Sequence, residues 1–271
     1  MGIVGGMGPA ASIRLEELIY QKDAERIELH GCDGFLTDSW HTPFLMYNNP
    51  RIPNCCRAAC GLGPSPMQAL VDSTAALQRA GADAVTFCCT TAYAWKDQVA
   101  RQVPGIPILD LLQIVAQKVA SARHHRVGLL DVDGTHCAGR FLQALRRYDL
   151  QAVLPTPREQ AQLMEAVADL KLGVDPYDGP VDTLVDIIEH MMKREGVTAI
   201  VLGCTEIAAS LGCTNDKPQQ MEYFDSLDIL ANEIVLRTNN HDFVSSTDGN
   251  EKINNTMVPS EMNKERMLEC A

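Results

Sequence analysis

Gly81-Ala82-Asp83-Ala84-Val85-Thr86-Phe87-Cys88-Cys89-Thr90 and Gly196-Val197-Thr198-Ala199-Ile200-Val201-Leu202-Gly203-Cys204-Thr205 are two copies of one pattern. At a constant offset Gly81 aligns with Gly196, Ala84 with Ala199, Val85 with Ile200, Cys89 with Cys204 and Thr90 with Thr205. Each copy ends a helix-periodic segment at a glycine, runs through a short apolar stretch and turns at Cys-Thr into the next helix. Two such βα units predict two similar lobes built on parallel sheets, related by a pseudo-twofold axis.

The same alternation extends outward along the chain. Ile3-Val4 predicts a strand that leads into the glycine turn Gly5-Gly6-Met7-Gly8-Pro9, followed by a helix over 12–28. Ser65 and Pro66 mark the start of a helix that carries Met67, Leu70, Val71 and Leu77 on one face. Further strands are predicted at 84–88, 106–109, 127–130 and 199–202. Helices are predicted from Thr90 onward and at 111–121, 136–147, 158–171, 181–195 and 227–236. Short apolar strands alternating with amphipathic helices define an α/β protein whose parallel sheets are flanked by helices. Residues 1–112 with 207–236 read as the N-terminal lobe and 113–206 as the second lobe. Residues 237–271 lack apolar periodicity and read as a flexible tail.

Each repeated cysteine falls where a parallel strand gives way to a helix, the end of a sheet at which ligands bind. A helix N-terminus favours the thiolate over the thiol. Two cysteines facing one interlobe cleft would form a symmetric acid/base pair, one removing a proton from a carbon and the other returning one on the opposite face. The same repeat is also compatible with two core cysteines in a duplicated packing motif. Cys88 precedes Cys89 and should point to the other side of its strand, into the core.

Composition narrows the remaining choices. The net charge of −12 supplies no basic stripe for phosphates, which argues against nucleic acid as a partner. No apolar run approaches the roughly 20 residues of a membrane helix, and Met-Gly-Ile-Val-Gly-Gly does not read as a secretory leader. The expected location is therefore the cytoplasm. The ten cysteines fall at 32, 55, 56, 60, 88, 89, 137, 204, 213 and 270, without paired zinc spacings and without histidines at helical spacing. No metal site is expected, and most of these thiols read as small buried hydrophobes. The loop at 5–8 lacks the Gly-x-Gly-x-x-Gly spacing of a nucleotide cradle. It suits the presentation of backbone N–H groups to a carboxylate.

These residues resemble the aspartate/glutamate racemase superfamily, whose hallmarks are a strand ending in Cys-Asn-Thr-Ala-His and a second ending in Gly-Cys-Thr-Glu. The second stands intact as Gly203-Cys204-Thr205-Glu206, and the first as Cys89-Thr90-Thr91-Ala92-Tyr93. Gly5-Gly6-Met7-Gly8-Pro9 resembles the family's N-terminal loop, and Asn48-Asn49-Pro50 a segment of its aspartate racemase branch. Lys171 falls where that branch carries a lysine near the active site. The resemblance spans about residues 2–236.

It implies racemisation of a small, acidic amino acid, aspartate or glutamate, by Cys89 and Cys204, without pyridoxal phosphate or metal, in a homodimer. It also implies substrate contacts from Met7, Gly8, Pro9, Asn48, Thr90, Thr91, Lys171, Thr205 and Glu206. The chain departs from the branch in four places. Asn54-Cys55-Cys56 stands where Asp-Arg-Thr is usual, so Arg57, two residues on, is the candidate carboxylate ligand. Thr90 replaces an asparagine, Tyr93 a histidine, and Asp131 and Asp133 stand where threonine is usual. Two further readings stay open at this stage. One is a superfamily isomerase or decarboxylase on a dicarboxylic acid in which one cysteine acts as nucleophile. The other is a non-catalytic small-ligand binder on the same fold.

Overall fold

The computed structural model describes residues 1–30, 38–212 and 214–239. In chain order the first part runs β1 (Gly2–Gly5), α1 (Pro9–His30), β2 (Leu45–Asn48), α2 (Cys55–Ala59), α3 (Met67–Arg79), β3 (Val85–Phe87), α4 (Lys96–Gln102) and α5 (Leu111–Ser121). It continues with β4 (Arg126–Leu130), α6 (Asp133–Ala138), α7 (Arg140–Arg146), β5 (Gln151–Val153), α8 (Pro157–Leu172) and α9 (Pro180–Glu195). The last elements are β6 (Ala199–Leu202), α10 (Thr205–Leu211), β7 (Glu222–Asp225) and α11 (Ser226–Asn239).

The strands form two all-parallel sheets, ordered β2-β1-β3 and β5-β4-β6-β7. The expected α/β architecture with two similar lobes is present. Each sheet has a central strand (β1, β4) flanked by the strand that follows it and by a cysteine-bearing strand (β3, β6). Parallel strands covered on both faces read as apolar runs. Ile3, Val4, Val85 and Phe87 in one sheet and Leu129, Leu130, Val201 and Leu202 in the other are accordingly fully buried. Each such side chain contributes roughly 1.5–3 kcal/mol on burial.

Several expected elements change. The 106–109 stretch is not a strand: it makes one parallel bridge, Val85 to Ile108, in which the Pro107 carbonyl accepts from the Val85 amide. Pro107 has no amide hydrogen of its own to extend a ladder. The expected helix over 136–147 is two helices, α6 and α7, broken at Gly139, whose φ of +67° is left-handed and ends the first. After Thr90 the chain makes a 3-10 turn (Thr91–Trp95) before α4. Pro66 is the N-cap of α3 rather than its first residue, and the Ser65 hydroxyl accepts from the Met67 amide at 3.2 Å.

The 207–236 segment divides: β7 pairs with β6, while α11 packs against α1. α11 runs to Asn239, so three residues of the expected tail are helical, and residues 240–271 lie outside the described ones. No described helix is long and apolar enough to cross a membrane.

Candidate active site

The two repeated turns meet at one place. A cavity of about 350 Å³ is lined by the β1 loop (Gly6, Met7, Gly8, Pro9), by Cys89, Thr90 and Thr91 after β3, and by Cys204, Thr205 and Glu206 after β6. Lys171, in the last turn of α8, and Val132, after β4, complete that side. Pro50, Ile52, Pro53, Asn54, Cys55 and Cys56, before and within α2, form the facing wall. The site thus lies at the carboxyl ends of strands from both sheets, where parallel α/β folds expose outward-facing backbone N–H groups.

Local sequence explains the β1 loop. Gly6 has a φ of +90°, and a Cβ there would fall 2.5 Å from the Asn49 carbonyl carbon, so only glycine fits. The Ser12 hydroxyl accepts from the Gly6 amide at 2.9 Å and donates to the Gly8 carbonyl at 3.2 Å, which staples the loop to α1. Pro9 opens α1, a position where a missing amide hydrogen costs nothing.

Both cysteines are buried, Cys89 7% and Cys204 3% exposed, yet their protonation differs. The Cys89 thiol is held below its usual range by a hydrogen bond from the Cys55 thiol, with Lys171 and the Ala92 amide adding to the effect against burial. Cys55, whose thiol also lies 3.8 Å from the Met7 sulfur, is pushed up by Cys89 and by burial. Cys204 is pushed well up by burial and then by Glu206, with Lys171 opposing. Its thiol donates to Glu206 Oε2 at 3.2 Å. The surroundings thus favour the thiolate at Cys89 and the thiol at Cys204.

Lys171 joins the lobes chemically. Its ammonium lies 3.4 Å from the Met7 carbonyl oxygen and 3.4 Å from Glu206 Oε1. Burial alone would lower its pKa, but Glu206 and the two cysteines hold it above the usual lysine range. It lines the cavity and keeps 34% of its side-chain surface exposed. The Thr205 hydroxyl donates to Glu206 Oε2 at 3.2 Å. Neither Thr90 nor Thr205 acts as a side-chain cap of its helix: Thr90 is an N-cap position without a cap bond, and α10 is N-capped by Cys204.

Two expected site residues do not reach this cavity. Arg57 is exposed and donates to the Leu62 carbonyl at 3.1 Å. It lies two residues beyond Cys55 on α2, so it emerges on nearly the opposite face of the helix. Asn48 ends the edge strand β2, is exposed, and lines a separate shallow surface depression with Tyr47, Arg51 and Asp72. Cys88 is fully buried and absent from the cavity lining, as strand alternation predicts.

Tyr93, which replaces the family histidine, does not line the cavity. It is fully buried, with its hydroxyl 2.8 Å from Thr86 Oγ1, accepting from the Phe87 amide at 3.2 Å and donating to the Leu109 carbonyl at 3.2 Å. It therefore ties the turn after Cys89 to the strand before it. His136 pairs with the fully buried Asp131. Burial pushes the Asp131 carboxyl up, opposed by His136; the imidazole is itself held above its usual range by that carboxylate, against burial. Sequence reasoning also missed Cys55, Cys56, Ile52 and Val132 as lining residues. The register offered a signal for Val132: counting on from the paired Val4–Phe87 and Leu130–Leu202 positions, it stands to β4 as Gly6 does to β1.

The chain thus has two parallel sheets with a cysteine at the carboxyl end of one strand of each, both on one cavity. Among solved structures, the chain is similar to an aspartate racemase from Picrophilus torridus at 24% identity and a TM-score of 0.73, covering 88% of this chain and 94% of that one. It is similar to an aspartate racemase homologue from Pyrococcus horikoshii at 23% identity and a TM-score of 0.64, covering 88% and 98%. It is also similar to a glutamate racemase from Campylobacter jejuni at 14% identity and a TM-score of 0.58, covering 88% and 86%. The sequence model of the Asp/Glu/hydantoin racemase family matches residues 4–234, and the chain belongs to that family. It is an amino-acid racemase.

Proposed function

We propose that the chain racemises a small amino acid, with an acidic one leading, by direct proton exchange between Cys89 and Cys204 and without pyridoxal phosphate. The observation that carries this reading is the shared cavity, in which Cys89 is biased toward thiolate and Cys204 toward thiol. Cys89 removes the α-proton from one face, and Cys204 delivers its proton to the other. The electron pair left on the carbon spreads into the α-carboxylate, where Lys171 and the backbone N–H groups of the two turns stabilise the negative charge. One turnover leaves Cys89 as the thiol and Cys204 as the thiolate, which is the state that takes the opposite enantiomer. In the other state Glu206 Oε2 accepts a hydrogen bond from the Cys204 thiol at 3.2 Å and holds it in place.

A specific observation favours a second substrate class. Arg57 is turned away and Lys171 is already paired with Glu206, so a second carboxylate would lack its own guanidinium fork. That absence disfavours a dicarboxylate by on the order of 1.5–3 kcal/mol unless backbone amides replace it. Small neutral amino acids then compete. The test is incubation of the enzyme with a panel of single enantiomers in deuterium oxide, followed by measurement of α-deuteration and optical inversion. Deuteration and inversion together of aspartate or glutamate support the leading reading, and of alanine or serine instead the second. Inversion of no amino acid without added pyridoxal phosphate would overturn both.

A further inference from the structure

A second pair of cysteines lies outside the cavity, on the wall where the lobes meet. Cys60 closes α2 in the first lobe, and Cys137 lies on α6 in the second. The two helices are in intimate contact: a Cβ on Gly134 would fall onto the Cys56 backbone, and the Gly134 amide donates to the Cys56 sulfur at 3.1 Å. The Thr91 and Thr135 hydroxyls meet at 2.9 Å beside them. In this setting the Cys60 and Cys137 sulfurs are 2.7 Å apart, facing each other with room for nothing between. A disulfide would need a further approach to about 2.05 Å. Cys137 is exposed and Cys60 half-buried, and neither lines the cavity.

We propose that Cys60 and Cys137 form a reversible disulfide that locks the two lobes together along the α2–α6 wall and slows access to the cavity. The oxidant is a small-molecule disulfide such as oxidised glutathione. The exposed Cys137 thiolate attacks one sulfur of that disulfide and releases one small thiol. The Cys60 thiolate then attacks the Cys137 sulfur of the mixed disulfide and releases the second. Each protein thiol gives up its proton, and the two electrons reduce the small disulfide to two thiols. Burial raises the Cys60 thiol to about 12, which suits it to the second, resolving step rather than the first. Cys89 and Cys204 keep little exposed surface, and the cavity that leads to them is lined from both lobes. A covalent bond across one wall holds that passage narrow. The consequence for turnover rests on the function proposed above; the bond and the locking do not.

The test uses the full chain, equilibrated with oxidised glutathione or with dithiothreitol. A non-reduced tryptic digest should contain peptide 58–79 linked to peptide 127–140, separate from peptide 52–57, which carries Cys55 and Cys56. The rate at which iodoacetamide alkylates Cys89 should fall at least tenfold in the oxidised protein and recover on reduction, with kcat/KM falling in parallel. Cys60→Ser and Cys137→Ser should each abolish the link and keep Cys89 alkylation at the reduced rate in both buffers. Absence of the linked peptide, with both thiols still free, would overturn the proposal. So would a linked peptide with unchanged alkylation of Cys89. Because alkylation needs no substrate, an enzyme that racemises nothing would leave this test intact.

Discussion

At residues 87–93 the chain leaves β3 into a 3-10 turn, and at residues 202–208 it leaves β6 directly into α10. The two turns share Cys-Thr and follow strands that pair with the corresponding strands β1 and β4, and both cysteines are buried on one cavity. Their neighbours differ in chemical sense. The Cys55 thiol beside Cys89 favours its thiolate, while the Cys204 thiol donates to the Glu206 carboxylate. Lys171 favours the thiolate at both, so it does not create the difference. A duplicated backbone thus gives two geometrically similar sulfurs, and single side chains outside the duplication decide which one is charged. An acid/base pair needs that bias, because two thiols or two thiolates at once could not pass a proton across a substrate.

The largest expected effect comes from removing either sulfur. Cys89→Ser and Cys204→Ser should each lower kcat/KM by about a thousandfold or more while preserving the circular dichroism spectrum, since a serine hydroxyl is too weak an acid to replace a thiol. Near-normal turnover in either variant breaks the pairing. Lys171→Ala should cost roughly 10- to 100-fold in kcat/KM, corresponding to loss of a charged contact worth about 1.5–3 kcal/mol. An unchanged rate would remove Lys171 from the site.

The pH profile sharpens the comparison. An enzyme that needs one thiolate and one thiol shows a bell in kcat/KM, rising as the first thiol ionises and falling as the second does. The Cys55 thiol holds Cys89 low, so Cys55→Ala should move the acid limb to higher pH. Glu206 holds Cys204 high, so Glu206→Gln should move the alkaline limb to lower pH. Both directions of racemisation must shift together, because enantiomers have equal free energy and kcat/KM is then equal in the two directions. Limbs that stay in place would show that these neighbours do not set the charges. The smallest effect is expected from Arg57→Ala, less than about twofold, because its exposed guanidinium donates to the Leu62 carbonyl, away from the cavity.

The fold was legible where buried strands and well-marked helices coincide. β6 and α5 follow from apolar runs bounded by a glycine and by Asp110, whose side chain caps α5. The strands β2, β5 and β7 were not visible: each has three or four residues, lies at a sheet edge, and exposes part of its length, so no apolar run marks it. The broken helix at Gly139 escaped because the apolar period continues through Phe141 and Leu145, and only the left-handed φ interrupts it.

Within the site, the cysteines and the β1 loop follow from the repeat and from strand-end logic. Lys171 does not, because its contact with Met7 joins residues 164 apart in sequence. Arg57 was misplaced for a related reason. Without the short helix α2, two residues along the chain looks near in space; on a helix it is the far face. Cys55 was seen as the replacement for an arginine, but its role as a donor to Cys89 depends on a contact no sequence pattern shows.

Exchange without inversion tests the central claim most directly. Each enantiomer of the best substrate is incubated in deuterium oxide with Cys204→Ser and with Cys89→Ser, and α-deuteration is read by mass spectrometry. With only Cys89 as base, Cys204→Ser should deuterate one enantiomer and leave the other untouched. Cys89→Ser should deuterate the opposite enantiomer, more slowly and at higher pH, since burial and Glu206 hold Cys204 as the thiol. Neither variant should invert configuration. If both variants exchange the same enantiomer, or either exchanges both, the two cysteines do not face opposite sides of the substrate and the two-base account fails.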